Sequence, residues 1–108
     1  MKEFQVYHYK QADNILSTAG RLIEGNISVG DTVCEIHLFS YADLERAFVA
    51  SKPVKLSVKE IVAYGRRLET IETGMTAQLE LTIDEFDWFE EFSSSFIETN
   101  YSLMCKDE

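Results

Sequence analysis

Five stretches of this chain alternate their residue types with a period of two, and the turn formers between them leave antiparallel β-structure as the fold to expect. "EFQVYHY" (3–9) sets Phe4, Val6 and His8 against Gln5, Tyr7 and Tyr9. "ILSTAGRLI" (15–23), "TVCEIHL" (32–38), "VKLSVKEIVAY" (54–64) and "MTAQLELTI" (75–83) repeat that pattern. "QADN" separates the first two, and "EGN" and "VGD" break the chain before the third, leaving "ISV" as a short apolar step between turns. Gly20 interrupts the second stretch, as a glycine does where a small barrel bulges or turns a corner.

Two segments depart from this rhythm. Ser40 has Asp43 three residues on, as in a capping box, and Leu44, Ala47 and Phe48 recur at helical spacing. A short helix is therefore expected near 41–50, ended by Pro53, the only proline, because the residue before a proline is pushed out of the helical region. In "DEFDWFEEFSSSFIETNYSLMCKDE" (84–108) the aromatic residues fall at three- and four-residue intervals, which fits a helix from about Asp84 to Ser93. A strand alternating through Phe86, Trp88 and Glu90 fits the same letters, and a further strand is expected near Ile97–Met104.

The chain has 108 residues, the size of one domain with one core: a β-barrel over 1–83 carrying an acidic, aromatic C-terminal extension over 84–108. Its net charge of -9 is unevenly placed. Residues 1–81 carry nine Lys/Arg against eleven Asp/Glu, whereas residues 82–108 carry one against eight. A chain this acidic forfeits most of the counterion-release attraction to nucleic acid or anionic lipid, so free RNA and membranes are not expected partners. No window approaches the roughly 18 apolar residues of a membrane span, and the alternating first residues are unlike a signal peptide, which makes the cytoplasm the expected setting. Cys34 and Cys105 sit in no ligand cluster and are expected as thiols, with no metal and no cofactor.

Two of these segments together resemble one known pattern. "GRLIEGNISVGDTVCEI" is similar to the G-R-V-x-x-G-x-I-x-V-G-D-x-V-x-I stretch of the second, β-barrel domain of translational GTPases such as elongation factor Tu. "VKLSVKEIVAYGRRLETIETGMTAQLEL" resembles that domain's ending, V-x-x-I-x-x-[YF]-x-x-x-[LV]-x-x-x-x-x-G-x-x-x-x-L-x-L. The resemblance spans about residues 15–83 and implies a closed antiparallel barrel of about six strands, in which Gly25 and Gly30 serve turns where positive φ is cheapest. It also implies a role as a binding accessory, since no G-x-x-x-x-G-K-[ST] accompanies the barrel to hold a nucleotide. In the family an aromatic residue of the penultimate strand helps hold the aminoacyl end of transfer RNA, and Tyr64 stands at that position. The glutamate that elongation factor Tu uses two residues earlier is Val62 here.

Catalysis has little to stand on. His8 and His37 lie in alternating strands with no nucleophile near them in sequence, and the paired acids Asp84/Glu85 and Glu90/Glu91 are adjacent rather than convergent. Two candidate binding surfaces remain. Lys52, Lys55, Lys59, Arg66 and Arg67 gather positive charge around Tyr64, a face suited to ribosome, transfer RNA or a translation factor. Asp84, Glu85, Trp88 and Phe89, with the neighbouring acids and aromatics, form either an amphipathic cover for the barrel or a surface that neutralises a basic partner. The function expected is a non-enzymatic binding module whose partner is another protein.

Overall fold

The computed structural model describes residues 1–42, 45–95 and 100–106. Its strands are β1 (Lys2–Ala12), β2 (Ile15–Glu24), β3 (Ile27–Ser28), β4 (Thr32–Ala42), β5 (Glu45–Ala63), β6 (Arg66–Leu68), β7 (Thr70–Ile71), β8 (Thr76–Glu85) and β9 (Asn100–Cys105), with one helix, α1 (Phe89–Ser95). Six of the strands pair in a ring, in the order β4, β9, β1, β2, β8, β5 and back to β4, with every pairing antiparallel. Short β6 adds to β5 outside the ring, and β3 pairs with β7.

The alternation expected from sequence is what fills the ring. Phe4, Leu16, Leu22, Ile36, Leu56 and Leu79 are fully buried at its centre, while their strand neighbours face out. The period slips where a residue is inserted. In β5, Val54, Leu56 and Val58 point inward, then Lys59 takes up the extra position opposite β8, and Ile61 and Ala63 continue the inward row. In β1 the extra residue is Tyr7, left exposed where the pairing with β2 slips between Val6 and His8.

Gly20 lies beside that slip, and β2 itself runs through it without a break. A Cβ on Gly20 would stand 1.8 Å from the carbonyl oxygen of Gln5, so only glycine lets β1 and β2 approach this closely. In the turn leading to β4, Asp31 N donates to the Ser28 carbonyl at 3.0 Å with Gly30 at φ +98°, a type II geometry that the Asp31 carboxylate reinforces by accepting from Ser28 N at 2.9 Å.

The helix expected near 41–50 is absent from the described residues there. Ser40 pairs with Ala47 and Tyr41 with Arg46 in a hairpin arm that extends β4 and β5, while Asp43 and Leu44 lie outside the described residues. A local capping signal lost to a cross-strand one. Phe39 and Phe48 meet at 5.9 Å edge to face, and packing of this kind overrides intrinsic helix propensity in a stretch that also carries Val49. Pro53 sits within β5 rather than ending a helix. Its place is a strand edge, since β8 joins that side of β5 only at Lys55.

The ends of the ring are closed differently. At one end β3 and β7 bring in Ile27 and Ile71, both fully buried. At the other, α1 lays Phe92 against Tyr9 and Tyr101, with ring centroids 5.0 and 4.6 Å apart. The extension thus divides into three: Asp84 and Glu85 finish β8, Phe89–Ser95 forms the cover, and β9 enters the ring between β4 and β1.

Candidate functional site

Tyr64 stands at the tip of the β5–β6 hairpin. Ala63 pairs with Arg66, so Tyr64 and Gly65 are the two central residues of the turn, and their φ values of 54° and 74° are the left-handed pair of a type I′ turn. That geometry matches the twist of the flanking strands, and asparagine or glycine fills its first position at least strain. A tyrosine there is held in a conformation that bulky residues avoid, and its side chain is 77% exposed. Arg66 and Arg67 leave the turn on exposed β6, and Arg67 Nε reaches Glu60 Oε1 at 2.7 Å. The tip therefore presents one exposed aromatic side chain on a two-residue turn, followed by two arginines.

The basic cluster read from the sequence is divided by the fold. Tyr64, Arg66 and Arg67 lie at the β3–β7 end of the ring, whereas Lys52 lies at the α1 end, paired with Glu91 and 5.3 Å from the Trp88 ring centre. Between them Lys55 is exposed opposite Glu85 of β8, and Lys59 occupies the slip in β5. Each of these cations has acid beside it or stands apart from the others, so the structure brings together Tyr64, Arg66 and Arg67 only.

The acidic segment faces two ways. Trp88 and Phe89 are half-buried, and Trp88 Nε1 donates to the Pro53 carbonyl at 2.9 Å. Phe86 packs on Trp88 at 4.8 Å and on Phe89 at 5.2 Å, forming with Phe92 an aromatic layer over the ring. Asp84, Glu85, Asp87, Glu90 and Glu91 point to solvent, and Asp84 accepts from the Ser57 hydroxyl at 2.7 Å. The two carboxylates in the first turn of α1 also suit the positive end of the helix.

Sequence reasoning missed a third group, on the outer face of β1, β9 and β4. Glu3 is 6% exposed, yet it carries a carboxylate. Ser102, itself fully buried, donates to Glu3 Oε2 at 2.8 Å, and Arg46 binds both Glu3 oxygens from the hairpin arm while its guanidinium lies 4.0 Å over the Phe39 ring. Beside them His37 Nε2 meets Glu35 Oε2 at 2.9 Å, with Phe48 5.2 Å from the imidazole. Nothing local marks Glu3 as buried. Its neighbour Arg46 lies 43 residues away, inside the segment that carries the helical signal.

Other reactive side chains stand apart. His8 is exposed at a depression that Lys10, Ser17 and Gln78 also line. Cys34 is half-buried, and Cys105 is buried, which pushes its thiol from 9.0 up to about 12, with smaller effects from Asp31 upward and Lys2 downward. Among the described residues no three His, Cys, Asp or Glu side chains are placed to hold a metal ion, and no helix is long and apolar enough to cross a membrane. No protein-family model and no curated protein matches this sequence.

Proposed function

We propose that this chain is a non-enzymatic binding module on a closed, translation-factor-like β-barrel, and that it contacts another protein in the cytoplasm through the Tyr64 tip. The observation that carries the reading is Tyr64 itself: a largely exposed aromatic in a left-handed turn position where asparagine is the stable choice. Strain of this kind persists where the residue serves something other than the fold. Tyrosine and arginine are also the residue types over-represented in the hot spots of protein interfaces, and a two-residue turn presents them with little ordering entropy left to lose.

The alternative surface, at α1, offers a partner only carboxylates, since the aromatics that could anchor one are packed on the ring. An RNA-facing role at the tip is opposed by the charge of -9 and by the pairing of Arg67 with Glu60. The test is capture from a lysate of the source cells with the intact protein, the tip variants Tyr64→Asn and Arg66→Glu/Arg67→Glu, and the cover variant Glu90→Lys/Glu91→Lys. The intact protein and the cover variant are expected to retain the same protein, and the tip variants to lose it. Retention of that protein by the tip variants, or its release by ribonuclease, overturns the reading.

A further inference from the structure

The hairpin arm has a bare edge. From Glu45 to Lys52, β5 is paired on one side by β4, and no described strand pairs with its other side; β8 joins only at Lys55, and the Trp88 indole meets the edge at the Pro53 carbonyl. A row of main-chain donors and acceptors in such a place is a template for another strand. Two of the largest exposed apolar side chains of the molecule, Phe48 at 58% and Val49 at 56%, sit in the middle of this row. The pairing with β4 slips at Val49, which turns neighbouring side chains to the same side instead of opposite sides.

The edge is complementary to itself in charge and apolar character. Laid antiparallel on itself, "ERAFVASK" places Glu45 opposite Lys52, Arg46 opposite Ser51, Ala47 opposite Ala50 and Phe48 opposite Val49, each match occurring twice about the two-fold axis. Two aromatic–β-branched pairs result, with two Glu45–Lys52 ion pairs for which Lys52 gives up Glu91 of its own chain, and no like charges face each other. Shifting the register by one residue sets Arg46 against Lys52 in one direction, and in the other loses both charge matches. The segment carries one acid against two bases in a chain of net charge -9, so its own charges do not add to the repulsion between two copies.

We propose that residues 45–52 of β5 pair antiparallel with the same residues of a second copy of this chain, extending the ring of each into one continuous sheet across the dimer. This surface is independent of the Tyr64 tip, and the Tyr64→Asn variant is expected to dimerise like the intact protein.

Sedimentation velocity from micromolar to millimolar concentration, with amide hydrogen exchange at each, tests the proposal. The dimer fraction is expected to rise with concentration, and the amides of 46–51 to gain protection in step. Glu45→Lys changes an exposed side chain and leaves the fold intact, and Phe48→Asp removes the apolar match; each is expected to weaken dimerisation about tenfold, because each substitution acts twice. A monomer at millimolar concentration whose 46–51 amides exchange fast throughout overturns the proposal. So does a dimer that both variants leave unchanged, or protection of 46–51 that appears only when a different protein is added.

Discussion

Arg46 reaches across β4 and β9 to close on Glu3, so the end of the hairpin arm is tied to the first strand of the ring by a charge pair with almost no access to water on the acid side. Removing one partner of such a pair leaves the other buried and uncompensated. Because Arg46 is a third exposed, the loss is discounted: Arg46→Ala is expected to destabilise the fold by about 2 kcal/mol, and Glu3→Gln by about 1. Urea denaturation of both single variants and the double variant checks this, with the double falling short of the sum.

Tyr64→Asn should make the protein more stable. Relieving a bulky residue from the left-handed region of a type I′ turn is worth about 0.5–1 kcal/mol, seen as a higher melting temperature. The same variant is expected to lose the partner that the intact tip retains, so stability and binding move in opposite directions. A lower melting temperature would show that the tyrosine ring supports the hairpin itself.

Gly20→Ala is expected to destabilise by about 2–3 kcal/mol or to prevent folding, since its methyl carbon meets the backbone oxygen of Gln5 and neither strand can move without opening the ring. Denaturation midpoints read this directly. Gly65→Ala, at a turn with open space around it, provides the comparison: its loss is confined to backbone strain.

Cys105 sets a pH limit. Burial holds its folded pKa above the unfolded value, so the thiol favours the folded state fully below pH 9.0, and that contribution is lost as the pH rises from there towards about 12. Between those values Cys105→Ala should flatten the decline of stability with pH. A thiol reagent at neutral pH is expected to label Cys105 only on unfolding.

In mobility shifts with transfer RNA and ribosomal RNA at about 0.15 M salt the intact protein is expected to show no tight, saturable binding. The acids of α1 lie at the far end from Arg66 and Arg67, so neutralising Glu90 and Glu91 should leave that result unchanged. Saturable binding by the intact protein would make the tip an RNA contact and overturn the charge argument.

The strands were legible because their information is local: a period of two, turn residues at Asn26 and Gly30, and a glycine at 20. What the letters could not settle depends on partners distant in the chain. Phe39 and Phe48 turn a helical signal into a hairpin, and Glu3 is buried by residues 43 and 99 positions away. For the extension, the helix reading of "DEFDWFEEF" holds from Phe89 onward, while Asp84 and Glu85 finish β8 and the strand reading through Phe86, Trp88 and Glu90 fails, because those aromatics pack as a cover on the ring. Of the candidate site, the exposure of Tyr64 was hidden until the turn type was known, since its alternation with Val62 continues smoothly to the tip.

The seating of β9 between β1 and β4 has a consequence for synthesis. Residues 3–6 pair with β2 early, but their second neighbour forms only when residues 101–105 have been made, so the ring is completed by the most sequence-distant pairing it contains. While the chain is still emerging from the ribosome, β1 and β4 each hold out a bare ladder, Phe4 and Ile36 lack the strand that shuts them in, and the Glu3 carboxylate waits for Ser102. β9 is the strand that seals the ring, and until it arrives the nascent chain is most open to pairing with strangers.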